Sequence, residues 1–311
     1  MADGDGNGWV VCRCGHRHWG RYGAAGLFLL VSAEPFPPGS PFPSDTQVLL
    51  QHRALWSHQG GTWGLPGGAR DSHEDAVTTA LREAMEETGI DAAGGELLGL
   101  CRTEHIDWAY ETVLLRIGAA PPTRTNRESL ELRWVALSDV PELTLHSGFA
   151  AVLPTLTGRR ARLVVRAAEV LAAADSGAAS GSSEDNGVAR PAGSLATLLA
   201  ALSATIVGRP IPLPTGGSRH ADGDPGANAL ESVLVAQIEV LVEPPIVFVT
   251  SADPGVLAVD ASRLTIDRLL ARVGPGDVVV TADPQLVRAA DRLRVATITP
   301  GRLLQLLAAG G

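Results

Sequence analysis

The chain has 311 residues, 45% of them hydrophobic and 19% charged, enough to bury one large core or two ordinary ones and too apolar for a disordered chain. Its net charge is −9, and all 25 basic side chains (Lys plus Arg) are arginine, which excludes the basic footprint of a general nucleic-acid binder; an acidic ligand must be met locally, through metal ions. The longest early apolar run, Gly23 to Ala33, is too short for a membrane span and lacks the basic flank of an export signal. Three cysteines, Cys12, Cys14 and Cys101, cannot build a disulfide framework. A cytoplasmic protein with no membrane partner is expected.

Along the chain, Cys12, Cys14, His16 and His18 alternate, which would place all four on one side of a strand and in principle allow them to hold Zn²⁺. Zinc normally draws its ligands from two separated knuckles, so the segment reads as an exposed hairpin instead. Apolar runs bounded by turn signals predict strands at Gly26 to Val31, Val48 to Leu50, Val113 to Ile117 and Leu132 to Leu137, with a helix over Glu74 to Thr88 among them. Composition shifts near residue 158, which divides a first domain, 1–158, from a second, 159–311. The second alternates strand and helix: Arg162 to Val165, Leu195 to Leu202, Ile246 to Val249, Ile266 to Arg272, Val278 to Val280, Pro284 to Leu293 and Arg302 to Leu307. That alternation is the signature of an α/β domain with a mostly parallel sheet. Asp175 to Gly193, rich in Ala, Gly, Ser and acids without an apolar period, reads as a disordered loop.

The strongest signal is GARDSHEDAVTTALREAMEETGI. Gly68 is followed after five residues by Glu74, after seven more by Arg82 and Glu83, then by Glu86, Glu87, Gly89 and Ile90. On a helix Glu83, Glu86 and Glu87 stand at i, i+3 and i+4, so their carboxylates converge on one face. Such a face is tolerable when a divalent cation neutralises it, and oxygen ligands select Mg²⁺, or Mn²⁺, over Zn²⁺. The opposite face, Ala76, Val77, Ala80, Leu81, Ala84 and Met85, is expected to pack on a sheet. A merely solvated acidic face would explain the charge and leave Gly68, Arg82 and Gly89 unexplained. Arg82 is placed to pair with Glu74 and brace the loop entering the helix, and Gly89 suits a left-handed helix end.

These residues resemble the Nudix box, and WGRYGAAGLFLL, LLQHRALWSHQGGTWGLPGG and ESLELRWV are similar to the MutT-type branch of that family, over about residues 8 to 157. The resemblance implies an α/β/α sandwich with a mixed sheet. It also implies Mg²⁺-dependent hydrolysis of a small nucleoside diphosphate linked to a further group. A nucleoside di- or triphosphate, oxidised purine nucleotides included, is the leading substrate; ADP-ribose, another dinucleotide, or nucleotide sensing without turnover are the alternatives. Metal ligands would be Glu83, Glu87 and Glu86 with the Gly68 carbonyl. The general base would be Glu83 or a loop acid, Glu128 or Glu131. Ala84 departs from the usual larger aliphatic residue, which is expected to loosen local packing.

Arg21, Arg53 and His52 are candidates for substrate phosphates, and Trp56, Trp63, Trp108 and Tyr110 for stacking on a base; Trp63 is expected beneath the box. His146 and Phe149 fall where MutT-like sanitisers read bases. The second domain resembles a PIN-like (NYN-type) nuclease in RLVVRAAEV, VVVTADPQLVRAADRL and ITPGRLLQLL. Arg166 stands where that family's first metal-binding acid is expected, Glu169 replaces a common Asn, and of the acids only Asp283 is in place. The implication is a degenerate, silent domain with a role in protein docking or homodimer formation.

Overall fold

The computed structural model describes residues 4–36, 41–179, 194–214, 230–246, 255–274 and 276–309, together with Val249, Ser251 and Asp253. The chain forms two compact units, one taking in Pro41–Gly158 and the chain up to Phe36, the other beginning at Arg159. No helix among the described residues is long and apolar enough to cross a membrane.

The first unit opens with a small antiparallel hairpin, β1 (Trp9–Val11) and β2 (Arg17–Trp19). Its main sheet holds β3 (Ala24–Val31), β4 (Gln47–Arg53), β5 (Trp63–Gly64), β6 (Gly67–Ala69), β7 (Glu96–Glu104), β8 (Ala109–Ile117) and β9 (Ser129–Ala136). The path runs β5-β4-β3-β8-β7, with β6 on β3 and β9 on β4. Only β3 with β8 is parallel, so the sheet is mixed.

Strand β3 is apolar on both faces because each face is covered. Ala25, Leu27 and Leu29 pack with Ala76, Ala80 and Ala84 of helix α1 (Ala76–Thr88). Phe28, on the other face, meets Phe149 of helix α2 (Ser147–Thr157) at 6.5 Å between ring centres. The result is an α/β/α sandwich. Alanine every fourth residue gives α1 a smooth flank that sits close on the sheet, so Ala84, fully buried, is a fitted contact. Met85 is 53% exposed and lies off the packing face, contrary to the expectation from the sequence. Buried Thr79 and Thr88 take part on that side of the helix in its place. Phe149 is likewise a core residue, 5% exposed, and is unavailable for reading a base.

The second unit has a six-stranded, mostly parallel sheet. It comprises β10 (Arg160–Arg166), β11 (Pro210–Pro214), β12 (Leu230–Val242), β13 (Val256–Asp260), β14 (Asp277–Val280) and β15 (Ala296–Ile298). The order is β11-β12-β10-β14-β15, with β13 also on β12 and β11 alone antiparallel. Helices α3 (Ala167–Ala179), α4 (Leu195–Thr205) and α7 (Pro300–Ala309) belong to one face, whose core includes Leu163, Val165, Leu198 and Leu303. Short α5 (Ile266–Leu270) and α6 (Pro284–Arg292) cover the other through Val164, Val279, Leu269 and Leu286.

Two expectations need correction here. The central strand β12 is absent from the sequence reading, which placed a strand at Ile246 to Val249 instead. Gln237 and Glu239 interrupt the β12 apolar run, and Glu239 is tolerated at 6% exposure because Arg162 and Arg272 pair with it at 3.1 and 2.5 Å. Ile246 lies in a turn beyond β12, and Val247 and Phe248 fall outside the described residues. The expected loop at Asp175 to Gly193 is helical as far as Ala179, where α3 ends; 180–193 lie outside the described residues.

Candidate active site

Helix α1 is fixed at both ends. Asp75 accepts from the Thr78 N–H at 2.7 Å, and Gly89, at φ 73°, closes the helix by donating to the Met85 carbonyl at 3.0 Å. This holds Glu83 and Glu87 against β6, with Glu86 on the same helix face and more exposed.

Arg82 and Glu74 form the brace that their spacing suggested. The guanidinium meets both carboxylate oxygens of Glu74, at 2.8 and 2.9 Å. It also donates to Glu83 at 2.8 Å and to the Ala69 carbonyl at 3.0 Å. The hydrogen bonds from Arg82 hold the Glu74 carboxyl down at about 2 despite burial. Arg82 also reaches Glu86, at 3.8 Å.

Glu87 lies deeper. Its carboxylate accepts from the Gly67 N–H at 2.8 Å, and burial, reinforced by the charge of Glu83, pushes it up to about 8. Burial also raises Glu83, against the opposing pull of Arg82. Next to them the buried Oε1 of Gln51 has no hydrogen-bond partner, while its Nε2 donates to Ser129 at 2.9 Å. Gly68 is required by the approach of Glu83: a Cβ there would fall 2.4 Å from a Glu83 oxygen. A buried Glu87 beside a partly buried Glu83, of which only Glu83 meets Arg82, together with an unpaired oxygen and a glycine-lined wall, is the donor set that a hard divalent cation completes. The residues fit such an ion. Gly68→Ala is expected to lower kcat at least ~10-fold while the melting temperature stays within a few degrees, because the methyl displaces Glu83 rather than the core. Steady-state kinetics beside thermal melts would check this, and an unaltered kcat would remove Gly68 from the site.

The other sequence candidates separate. Tyr110 and Arg53 lie within electrostatic reach of the site: burial first, then Glu87, raises the Tyr110 phenol far above its usual value and keeps it uncharged, and Arg53 opposes that. Burial also lowers His146 to about 4, with Arg53 and His58 contributing, so its imidazole is neutral. Trp63 is buried between His52, stacked at 4.7 Å, and the guanidinium of Arg133 at 4.7 Å from its ring centre. Trp108 has one face covered by His18 at 4.5 Å and donates its indole N–H to the Gly20 carbonyl. Trp56 is 68% exposed. Arg21 lies along Gly8 in the N-terminal segment and is not brought to the carboxylates.

Glu131 is taken by Arg133 in a two-pronged pair, both bonds at 2.8 Å. Glu128 is the loop acid whose charge raises both Glu83 and Glu87. Its loop is pinned just past the end of β4, where Ala54 N–H donates to the Glu128 carbonyl at 2.8 Å, and approaches α1, where Asn126 meets the Glu86 carbonyl at 3.5 Å. Gln51 and Asn126 were not singled out from the sequence, since only this docking gives them a place.

In the second unit Arg166, at the end of β10, is bound by Glu169 and by Glu243, the latter at 3.0 Å. Glu169 in turn accepts from Thr281 at 2.9 Å and from the Ala282 N–H. Asp283 caps α6, accepting from the Gln285 N–H at 2.8 Å. Arg166 is therefore neutralised by two carboxylates.

The NUDIX domain family matches residues 41–156. A Mycobacterium tuberculosis protein provisionally named 8-oxo-dGTP diphosphatase 3 is 54% identical over 154 residues, covering 48% of this chain and 67% of its own. A Bifidobacterium longum nucleoside triphosphate pyrophosphatase/Nudix hydrolase fusion protein is 40% identical over 157 residues, covering 50% of this chain and 31% of that one. A crystal structure of a Nudix hydrolase from M. smegmatis, RenU, shares 45% identity over 49% of this chain and 92% of that one, with a TM-score of 0.42. With the box in place on α1 and these relatives spanning the first unit, the chain belongs to the Nudix hydrolase family.

Proposed function

We propose that the first unit is a Mg²⁺-dependent pyrophosphohydrolase of nucleoside triphosphates, with oxidised purine nucleotides as its substrate class. Nudix hydrolases act on small nucleotides and generally need a divalent cation. The observation that carries the reading is the buried, under-neutralised pair Glu83 and Glu87 against Gly67 and Gly68. The names of the relatives favour a triphosphate over a dinucleotide.

Glu83, Glu86, Glu87 and the Gly68 carbonyl would hold Mg²⁺, which when bound offsets phosphate charge and makes a coordinated water more acidic. Arg82 holds Glu83 in place through its brace to Glu74. Glu128, whose charge reaches both carboxylates, is better placed than the arginine-paired Glu131 to accept a proton from the attacking water. Arg53 would meet phosphate oxygens, while Tyr110 and the neutral His146 would border the base. Water adds across a phosphoanhydride, and a triphosphate leaves as monophosphate and pyrophosphate. A panel with Mg²⁺ including 8-oxo-dGTP, dGTP and ADP-ribose tests this by product. Monophosphate and pyrophosphate from 8-oxo-dGTP are expected, whereas preferential cleavage of ADP-ribose would refute the substrate assignment.

For the second unit we infer a degenerate PIN-like (NYN-type) domain without catalysis. Support comes from its mostly parallel sheet and from the arginine that fills the strand end where a cation would need an acid. The full chain is expected to leave single-stranded RNA intact with Mg²⁺. Cleavage abolished by Asp283→Asn would overturn this.

A further inference from the structure

We propose that the N-terminal hairpin is a zinc site, with Cys12, Cys14 and His18 as three ligands and His16 as the fourth. In a straight strand these residues would form a row that cannot surround an ion. The structure breaks that row. The chain turns at Gly15, which has φ 89° and donates to the Cys12 carbonyl at 3.0 Å, and the Cys12 N–H meets the His16 carbonyl at 3.0 Å. Cys12 therefore ends one arm, Cys14 and His16 sit in the turn, and His18 returns on β2 opposite Val10.

Three of the four ligands are gathered, and the fourth adjoins Cys14. The ligand atoms of Cys12, Cys14 and His18 all lie within 4.8 Å of one another. The Cys14 sulfur is 3.2 Å from His18 Nε2 and 3.8 Å from His16 Nδ1. Tetrahedral zinc, with bonds near 2.3 Å to sulfur and 2.0–2.1 Å to nitrogen, separates sulfur and nitrogen by about 3.6 Å. Two backbone N–H groups, of Cys14 at 3.5 Å and Asp107 at 3.4 Å, point at the Cys12 sulfur, an arrangement that stabilises a thiolate. Two sulfurs with imidazoles are soft ligands that select Zn²⁺, unlike the all-oxygen set on α1.

The hairpin is tied to the segment before β8. Arg13 grips the Asp107 carboxylate at 2.6 Å, and His18 lies between Trp108 and His105, at 4.5 and 4.2 Å. Zinc would thus order residues 105–108, immediately before Tyr110, and act structurally on that wall of the first unit.

Metal analysis of the purified full chain after dialysis should find one zinc per chain. Co²⁺ added to the zinc-free chain should give thiolate-to-metal charge-transfer and tetrahedral d–d bands. Both should disappear in Cys14→Ser and in His18→Ala, while an unchanged circular dichroism spectrum shows that the fold survives. Loss of the bands in His16→Ala but not in His105→Ala identifies the fourth ligand, and the converse would overturn the choice of His16. Absence of the Co²⁺ bands in the reduced wild type, zinc unaffected by Cys14→Ser, or a Cys12–Cys14 disulfide in the purified chain would overturn the site; the wild-type spectrum decides the matter even if a variant fails to fold. The α1 carboxylates take no part, so these results are independent of the nucleotide assay.

Discussion

Replacing Glu87 by Gln is expected to lower kcat by roughly three orders of magnitude and, without divalent cation, to make the protein more stable. The first effect follows from deleting one charge of the carboxylate set at constant volume. The second follows from the cost of holding that charge in the fold. Burial and Glu83 raise the Glu87 carboxyl from an ordinary 4.5 to about 8. A folded pKa above the unfolded one means that the folded state binds a proton the unfolded state releases. The penalty is absent below about pH 4.5, grows as pH rises, and levels off above 8. At pH 7 it is on the order of 3 kcal/mol. Metal-free wild type should therefore lose stability relative to Glu87→Gln between pH 5 and pH 8, and Mg²⁺ should reverse the ranking. Melting curves in chelator and in Mg²⁺ would show it; wild-type turnover in the variant would sink the assignment of Glu87.

Arg82→Ala should damage both stability and turnover. It strands Glu74, whose side chain is 5% exposed, and frees Glu83 from the guanidinium that holds it at 2.8 Å. Here the sign is opposite. Glu74 is held at about 2 in the fold, so its contribution is present above its unfolded value of 4.5 and fades as pH falls toward 2. After discounting for partial solvent screening it amounts to ~2 kcal/mol, or about 5 °C in melting temperature. The deficit of the variant should narrow between pH 5 and pH 3, and kcat should fall at least ~100-fold because Glu83 is no longer aimed. Arg82→Lys keeps the charge without the fork and should lie between. A deficit independent of pH would show that Glu74 is not what Arg82 stabilises.

The box could be read from the sequence because its geometry is local. Carboxylates at i, i+3 and i+4, a capping Asp75 and a closing Gly89 all act within one helix. The failures are non-local. Glu239 disguised β12 because its partners Arg162 and Arg272 lie far along the chain. Glu128 and Glu131 looked equivalent until the loop docked on Ala54 and Arg133 closed on Glu131. Cys12 through His18 read as a hairpin and form one, but that Cys12, Cys14 and His18 come together depends on the turn at Gly15, which spacing does not carry. Met85 was assigned to the wrong side because residue type alone set the edge of the face, whereas Thr79 and Thr88 are buried on the helix and Met85 is exposed.

Helix α1 is tethered to one short strand at two heights, by Glu87 to the Gly67 N–H and by Arg82 to the Ala69 carbonyl. The helix can neither roll about its axis nor slide without breaking both. The hydrolytic machinery is in this sense a fixed chassis, insulated from changes in the rest of the unit. Preference among nucleotides must then be written in the parts that the tethers leave free, the turn before β8 and the segments carrying Arg53 and His146. A lineage could exchange one nucleotide for another there without retuning its chemistry.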